Sequence, residues 1–294
     1  MEKTAEIANA VKQAGVTGAG GAGFPTHVKL QAQAEYVLAN GAECEPLTHV
    51  DKQLMIHHAP EVISGVRLAM QSTGAKQGII GIKGKHKEII AILKEAIGDQ
   101  TDITIFELGN FYPAGDEQVM VYDILGRVVP EGGIPIDVGC VVQNVETLCN
   151  IDAAVQGKPV TEKYITVIGA VPRPLSVKVP IGITLNEVLA LAGGTLASDP
   201  VVLDGGAMMG EVVGDLNSPV TKRTKMLLVL PYDHQLSVKR RTPRKVIDSQ
   251  AIAACDQCYY CTDYCPRHAQ GHEIQPHKLI LLLASGVPLT DAQM

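Results

Sequence analysis

The sequence predicts an α/β protein that ends in a helical, cysteine-bearing tail. Short apolar runs at 36–40 and 78–82 are typical of buried strands, and helical patterns separate them. Beyond residue 164 the predicted strands follow one another closely, with Pro and Gly between them. Four of the seven cysteines lie within 255–265. Strands that alternate with helices predict a mostly parallel sheet, and the closely spaced strands predict a small α+β module after it.

The elements follow in a definite order. Those of the first part are a helix over 5–14, a glycine loop over 18–25, a helical pattern over 26–38, strands at 36–40, 78–82 and 103–106, and a helix over 86–97. Those of the second part are strands at 165–168, 175–179, 201–203 and 227–230, with a helix over 185–192. A basic linker over 237–246 then leads to the tail. We therefore expect domains at 1–160, 161–235 and 236–294.

Charge and hydropathy exclude some classes of partner. The 294 residues include 25 Lys and Arg against 31 Asp and Glu, and a net charge of -6 gives no electrostatic case for nucleic acid or an anionic membrane. The apolar run at 279–284 is far shorter than the roughly 18 residues that a spanning helix needs. Residues 1–15 lack the apolar core of a secretory signal. We expect a cytoplasmic protein with no membrane span.

The cysteine run has the spacing C-x2-C-x2-C-x3-C-P, formed by Cys255, Cys258, Cys261 and Cys265. This spacing predicts a [4Fe-4S] cluster, with a structural zinc ion as the alternative. In two-cluster ferredoxins the fourth cysteine of such a run binds the other cluster, and the sequence holds no second run. Either Cys265 completes a lone cluster, or the chain stops before a second cluster motif.

The glycine loop formally matches the dinucleotide fingerprint through Gly18, Gly20 and Gly23, with Glu43 twenty residues further on. A true Rossmann loop follows a strand, whereas a helix is predicted ahead of this one, so the match to that motif is weak. The loop still offers backbone N–H groups and a surface without side chains, which suits a phosphate or a flat ring. The alternative is a flexible surface loop.

Four motifs carry a resemblance to known proteins: GAGGAGFPTHVKL (18–30), NGAECEP (40–46), YPAGDE (112–117) and QNVETL (143–148). Together they resemble the flavin-binding core of the NADH-oxidising subunit of respiratory complex I and the C subunit of Rnf-type oxidoreductases. With CTDYCPRHAQGHEIQPH (261–277), the chain most resembles the cobalamin reductase family of propanediol-utilisation microcompartments. The resemblance implies a Rossmann-like FMN- and NADH-binding domain, a β-grasp domain of the soluble ligand-binding type (SLBB), and an iron–sulfur tail.

The resemblance also implies site residues, position by position. Around FMN these are Gly18, Gly20, Gly21 and Gly23 as a floor, Lys29 near the phosphate, and Asn40, Glu43, Tyr112, Gly115, Asn144 and Thr147 at the ring and ribityl chain. Glu45 and Glu117 match acids that contact the nicotinamide nucleotide, and Phe24 lies where an aromatic ring would stack on it. No acid–base catalyst is implied, because hydride transfer to a flavin needs orientation rather than proton transfer. Ala19 and Ala42 depart from the complex I pattern, where an arginine and an aspartate stand.

The implied activity is an NADH-dependent flavin and iron–sulfur oxidoreductase that passes electrons to a corrinoid or another redox protein, inside a microcompartment with partners there. One alternative is an electron-relay subunit of an Rnf-type membrane complex. Another is a zinc-stapled, non-redox ligand-binding scaffold. Cys44, Cys140 and Cys149 are predicted to be structural thiols, and the Gly- and Met-rich segment 204–210 a turn.

Overall fold

A computed structural model of the chain describes residues 2–286, with side chains from residue 5 onward. The helices are α1 (Glu2–Gln13), α2 (Thr26–Gln31), α3 (Val50–His57), α4 (Ala59–Thr73), α5 (Lys87–Ile97), α6 (Glu117–Leu125), α7 (Val145–Val155), α8 (Leu185–Leu191), α9 (Gln235–Arg241), α10 (Arg244–Ala254), α11 (Tyr260–Asp263), α12 (Pro266–Ala269) and α13 (Pro276–Ser285), with a 3-10 helix at Pro135–Val138. The strands are β1 (Tyr36–Asn40), β2 (Gln77–Lys83), β3 (Ile103–Leu108), β4 (Cys140–Asn144), β5 (Glu162–Gly169), β6 (Leu175–Pro180), β7 (Pro200–Asp204), β8 (Glu211–Val212) and β9 (Met226–Pro231).

The first sheet is parallel throughout and has the order β3-β2-β1-β4. Its strands are nearly all apolar, as expected for a sheet that helices cover on both faces. Helices α1, α4, α5 and α7 bury one face, and α6 buries the other through Met120 and Val121. In the register of β1 with β4, Asn40 lies beside Asn144, so two asparagines are neighbours at the carboxyl edge of the sheet.

The second sheet is mixed and has the order β6-β5-β9-β7-β8. Its central pair, β5 and β9, is parallel, whereas the remaining pairs are antiparallel. Helix α8 packs on one face through Leu185, Val188 and Leu189. Thr184 caps this helix by accepting the Glu187 N–H, and Glu187 accepts the Thr184 N–H in return. This is the small α+β module that the closely spaced strands predicted.

Two predicted elements were wrong. The helical pattern over 26–38 ends as a helix at Gln31, because Ala32 is extended and residues 36–40 form a buried strand of the sheet. The basic segment 237–246 is not a linker: it forms the end of α9 and the start of α10, which are separated at Pro243. Arg and Lys are good helix formers, so a run of charge there is compatible with helix on an exposed face.

The cysteine-bearing tail is helical, as predicted, and docks on the first domain. Arg267 donates two hydrogen bonds to the Asp116 carboxylate at 2.6 and 2.8 Å, in the bidentate geometry typical of Arg–carboxylate pairs. The buried ring of His272 lies 2.8 Å from the Val129 carbonyl oxygen. Among residues 2–286, none of the helices combines the length and the apolar character that crossing a membrane requires.

Candidate functional site

The glycine loop is a closed, ordered turn ahead of α2. The Gly18 N–H donates to the Phe24 carbonyl at 2.8 Å, and the Gly23 N–H donates back to the Gly18 carbonyl at 3.2 Å. Gly21 has φ +113, a region that residues with a Cβ rarely adopt, and an added Cβ there would meet no atom within 4 Å. At Gly21 the loop therefore presents bare backbone to open space, whereas the Arg223 side chain lies against Gly23 and donates to the Gly21 carbonyl at 2.8 Å.

Helix α7 anchors the loop at its centre. The Ala19 N–H donates to the Thr147 hydroxyl at 2.9 Å, and Thr147 is fully buried. Asn144 caps the same helix by accepting the Glu146 N–H, and its amide donates to Asp51 at 2.9 Å. Thr147 and Asn144, two residues of the QNVETL motif, therefore lie directly beneath or beside the glycine loop.

The NGAECEP and YPAGDE motifs pack on each other at the carboxyl end of β1. Asn40 donates to the Gly115 carbonyl at 2.7 Å, and the Gly115 N–H approaches the Cys44 sulfur at 2.9 Å. A Cβ on Gly115 would lie 3.0 Å from the Ala42 Cβ and 3.1 Å from the Cys44 sulfur, so a larger residue would have to push these neighbours apart. The geometry is consistent with Cys44 as a structural thiol.

Lys29 and Glu117 form the third contact. The Lys29 ammonium donates to Glu117 at 2.9 Å and to the Val142 carbonyl at 3.1 Å, and it lies 5.9 Å from the centre of the half-exposed Phe24 ring. Lys29 follows the glycine loop, and Glu117 begins α6. Lys29, predicted near the FMN phosphate, and Glu117, predicted to contact the nicotinamide nucleotide, are thus paired with each other.

Glu43 is a buried carboxyl group at the same edge. It accepts the N–H groups of Asp51 and Lys52 at 2.7 and 3.3 Å, and the Lys52 ammonium lies 3.5 Å away. Burial, followed by the negative charge of Asp51, raises the pKa of Glu43 to about 7, although Lys225 and Lys52 oppose the shift. Glu43 therefore holds or releases a proton near neutral pH, next to the residues expected at the flavin.

Glu43→Gln is expected to make stability less dependent on pH. Because the folded pKa of Glu43 lies above its ordinary value, protonated Glu43 stabilises the native chain at low pH, and that stability is lost as pH rises from about 4.5 through 7. Urea unfolding across this pH range should show that the free energy of unfolding of the variant, relative to that of the wild type, increases with pH by up to about 3 kcal/mol. Glu95→Gln, which changes an exposed carboxyl on α5 with no ion pair among the described residues, is the control. Parallel pH profiles for wild type and Glu43→Gln would contradict the expectation.

Glu45 is held by the second domain. Its carboxylate accepts the N–H groups of Met208 and Met209 at 2.7 and 3.2 Å. Arg240 fixes the same turn by donating to the carbonyls of Ala207 and Met208. The segment 204–210 is a turn, as predicted, and it reaches the first domain at a residue expected to contact the nucleotide.

Two buried lysines of the second domain also enter the first, and the sequence patterns did not predict them. Lys163 on β5 pairs with Glu146 at 2.5 Å, with both side chains 2% exposed, and approaches the Ala19 carbonyl at 3.4 Å. Lys225 pairs with Asp51 at 2.6 Å. A lysine among inward-facing apolar residues of a strand was the available signal. Together these ion pairs hold the second domain against the glycine loop.

A cavity of about 340 Å³ opens at the carboxyl ends of β2 and β3. Of the predicted residues, Glu43, Glu45 and Tyr112 line it, and Tyr112 is half exposed. The remaining predicted flavin and nucleotide residues surround the glycine loop or the Asn40–Gly115 contact rather than this cavity. The structure thus groups the predicted residues into two adjoining regions of one sheet edge.

The residues at the loop fit a flavin. The open surface over Gly21 supplies a flat approach, and Asn40 and Asn144, whose amides donate to Gly115 and Asp51, lie at the same sheet edge. The Oδ1 atom of buried Asp51, next to Asn144, has no hydrogen-bond partner among the described residues. An unsatisfied buried oxygen calls for a donor from a ligand or water.

The cysteine segment has free thiols and a backbone conformation that are typical of an iron–sulfur site. All seven cysteines are free thiols, and Gln257 and Tyr259 have φ values of +61 and +67 between the first three cysteines of the run. Such left-handed turns gather N–H groups around the sulfurs of iron–sulfur sites. Within residues 2–286, however, no three His, Cys, Asp or Glu side chains converge as metal ligands. The donors and turns fit a cluster, and the thiols must turn toward one another to bind it.

Comparison with protein families gives three successive matches. Residues 11–153 match the Nuo51 FMN-binding domain, residues 164–212 the SLBB domain, and residues 254–293 a 4Fe-4S dicluster domain. These matches confirm the predicted fold class and the predicted FMN and [4Fe-4S] cofactors at the level of domains. The boundaries predicted at residues 160 and 235 remain predictions.

Among curated proteins, the chain is 49% identical over 276 residues to cobalamin reductase PduS of Salmonella typhimurium (strain LT2), covering 94% of this chain and 61% of that protein. It is 48% identical to cobalamin reductase PduS of Citrobacter freundii, over 93% and 60%. It is 36% identical to one component of the Na(+)-translocating ferredoxin:NAD(+) oxidoreductase complex of Acetobacterium woodii, over 90% and 58%. The predicted resemblance is confirmed, and the chain spans about three-fifths of the length of these relatives.

Among solved structures, the chain is similar in fold to NAD+-reducing [NiFe]-hydrogenase in two states. The H2-reduced state gives a TM-score of 0.69 at 20% identity, covering 97% of this chain and 63% of that one. The air-oxidized state gives 0.70 at 23% identity, covering 95% and 52%. At this identity the likeness concerns the fold.

Proposed function

We propose that the chain is the flavin- and iron–sulfur-bearing part of an NADH-dependent oxidoreductase that delivers electrons to a corrinoid. The observation that carries the proposal is the closed glycine loop, held by Thr147 beside Asn40 and Asn144, in a chain that also bears the cysteine run. The similarity to two cobalamin reductases supports the acceptor.

The chain's own residues would bind and orient the cofactors. FMN, when bound, accepts an electron pair from a nicotinamide and releases electrons one at a time. Gly18, Gly20, Gly21 and Gly23 would form its floor, with Lys29 near the phosphate and Asn40, Glu43, Tyr112, Gly115, Asn144 and Thr147 around the ring and ribityl chain. Glu45, Glu117 and Phe24 would face the nucleotide.

Electrons would leave through the cysteine segment. The cluster ligands would be Cys255, Cys258 and Cys261. Cys265 would bind either the same cluster or another one. Arg267, two residues after Cys265, contacts Asp116, which caps the helix that Glu117 begins. This contact supports a short route from flavin to cluster.

The wider setting is also proposed. We place the chain in the cytoplasm inside a bacterial microcompartment, with NADH, a corrinoid or another redox protein, and microcompartment proteins as partners. We retain the division at 1–160, 161–235 and 236–294 into flavin, SLBB and iron–sulfur domains. The family resemblance supports each of these points.

An anaerobic absorbance spectrum tests the proposal. The full chain, reconstituted with FMN, iron and sulfide, should show flavin and cluster bands, and NADH should bleach the flavin. Cys258→Ser should lose most of the cluster absorbance while NADH still bleaches the flavin, because the thiolate is a cluster ligand and not a flavin contact. Cys149→Ala, on α7 and outside the run, is the control and should keep both.

Three outcomes would contradict the proposal. A wild-type chain that binds no FMN, or whose flavin NADH does not bleach, is not this oxidoreductase. Stoichiometric zinc without iron or sulfide would select the ligand-binding scaffold. Copurification with integral membrane proteins would favour the electron-relay role in a membrane complex.

A further inference from the structure

The apex of the glycine loop, residues 20–22, is held from the second domain. The base of the loop is closed by its own backbone hydrogen bonds and tied to α7. Among residues 2–286, the only hydrogen bond to the apex comes from Arg223, whose Nε donates to the Gly21 carbonyl. The conformation of the apex therefore depends on a side chain that lies 202 residues further along the chain.

Arg223 lies in the turn before β9, and its side chain is exposed. The aliphatic part of the side chain lies against the Gly23 backbone, where an added Cβ would be 3.2 Å from the Arg223 Cγ and Cδ atoms. The neighbouring Lys222 donates to the Gly15 carbonyl, and Lys163 approaches a third carbonyl of the same segment. Cations of the second domain thus face several backbone oxygens at and before the loop.

The bond to the Gly21 carbonyl determines where the next N–H group points. The peptide bonds of the loop are trans, and in a trans peptide the carbonyl of one residue and the N–H of the next point in opposite directions. With the Gly21 carbonyl turned toward Arg223, the N–H of exposed Ala22 therefore points away from that side chain. The N–H groups of Ala22 and Gly20 have no hydrogen-bond partner in the described part of the chain, so both are available to a ligand.

A loop this rich in glycine is costly to order. Glycine loses more conformational freedom on ordering than any other residue. A contact that fixes the apex before a ligand arrives lowers the ordering cost that binding must meet. A guanidinium group is always charged, and its hydrogen bonds to oxygen are correspondingly strong.

We propose that Arg223 is a positioning residue of the flavin site, which fixes the apex of the glycine loop with its free N–H groups toward the cofactor. The second domain is thereby a part of the flavin site. The identity of the cofactor rests on the proposed function, whereas the contact between Arg223 and the loop does not.

Hydrogen exchange of the full chain before flavin is added tests the contact itself. Arg223→Met keeps the aliphatic packing on Gly23 and removes every donor. The hydrogen-bonded amides of the loop base should exchange at least about threefold faster in this variant, because the apex no longer restrains them. Arg173→Met is the matched control, since Arg173 is an exposed arginine that donates to the Leu191 carbonyl inside the second domain. Its loop should exchange as in the wild type, and both variants should keep the wild-type midpoint of urea unfolding.

Titration with FMN, followed by quenching of flavin fluorescence, tests the positioning. The Kd for FMN should be about tenfold higher for Arg223→Met than for the wild type, and unchanged for Arg173→Met. Arg223→Gln places an amide nitrogen where the arginine has Nε, without the charge. It should bind FMN within about threefold of the wild type, because it restores the hydrogen bond to the Gly21 carbonyl.

Three results would overturn the proposal. They are unchanged loop exchange in Arg223→Met, unchanged or tighter FMN binding by that variant, and an equal loss of FMN affinity in Arg223→Met and Arg223→Gln, which would assign the effect to charge. A wild-type chain that binds no FMN would overturn the proposed function. Faster loop exchange in Arg223→Met would then still support the contact that holds the apex.

Discussion

Lys163→Met is expected to lower the free energy of unfolding by about 3–5 kcal/mol. The Lys163 ammonium and the Glu146 carboxylate are both 2% exposed and lie 2.5 Å apart. Burial lowers the pKa of Lys163, and the charge of Glu146 opposes that shift. Removing the ammonium leaves a carboxylate in the interior without its partner. The free-energy cost of this desolvated charge exceeds the free energy gained by burying the apolar methionine side chain.

Urea unfolding of the single and double variants measures the interaction energy between Lys163 and Glu146. Glu146→Gln with Lys163→Met should cost clearly less than the sum of the two single changes, because the double variant leaves neither charge of this pair without its partner. Lys178→Met, on neighbouring β6, removes a pair with Glu162 whose side chains are 46% and 49% exposed, and should cost at most about 1 kcal/mol. Equal losses for Lys163→Met and Lys178→Met would contradict the role given to burial.

Gly65→Ala is expected to destabilise the chain by about 1–3 kcal/mol or more, although alanine is the better helix former. Gly65 lies on α4 where α7 crosses it. A Cβ there would lie 2.2 Å from the Leu148 carbonyl oxygen and 2.6 Å from its carbon. Both atoms belong to the backbone, so a rotamer change cannot relieve the clash. The propensity gain of about 1 kcal/mol is smaller than the cost of moving a helix.

The same change should weaken flavin binding, because α7 carries Asn144 at its cap and Thr147 in its first turn. Urea unfolding and FMN titration of Gly65→Ala measure the two effects. Gln71→Ala, exposed on α4, should leave the free energy of unfolding within about 0.5 kcal/mol and the affinity unchanged. A stabilised Gly65→Ala variant would mean that α4 and α7 separate easily.

Strands were predicted well where apolar residues form short, bounded runs. The pattern at 36–40 and 78–82 leaves little choice, since both faces of a parallel strand are buried. Helices α3, α4, α6 and α7 were not predicted. Helices α4 and α7 each pack against both the sheet and another helix. Their apolar residues therefore spread around the helix, which weakens the helical periodicity of the sequence. Extending a helix to residue 38 failed because the sheet outweighs local propensity at Tyr36–Asn40.

The residues of the site were predicted from motifs, whereas the contacts by which the second domain holds them were not predicted. The glycine loop, Asn144 and Thr147 are close together because the loop and α7 belong to the same domain, although 128 residues separate Ala19 from Thr147. Lys163, Lys225 and the turn that holds Glu45 come from more than a hundred residues further along the chain. Such contacts depend on how one domain docks on another, which periodicity and spacing do not encode.

The ion pair between Arg267 and Asp116 couples two binding equilibria. Asp116 caps α6 with the same carboxylate that receives Arg267, so anything that orders the cysteine segment also orders the start of that helix and the Glu117–Lys29 contact beside the glycine loop. Thermodynamic linkage makes such coupling reciprocal. Flavin occupancy and cluster content should therefore rise and fall together across preparations, and Cys258→Ser should bind less flavin than the wild type, although NADH should still bleach the flavin that remains bound.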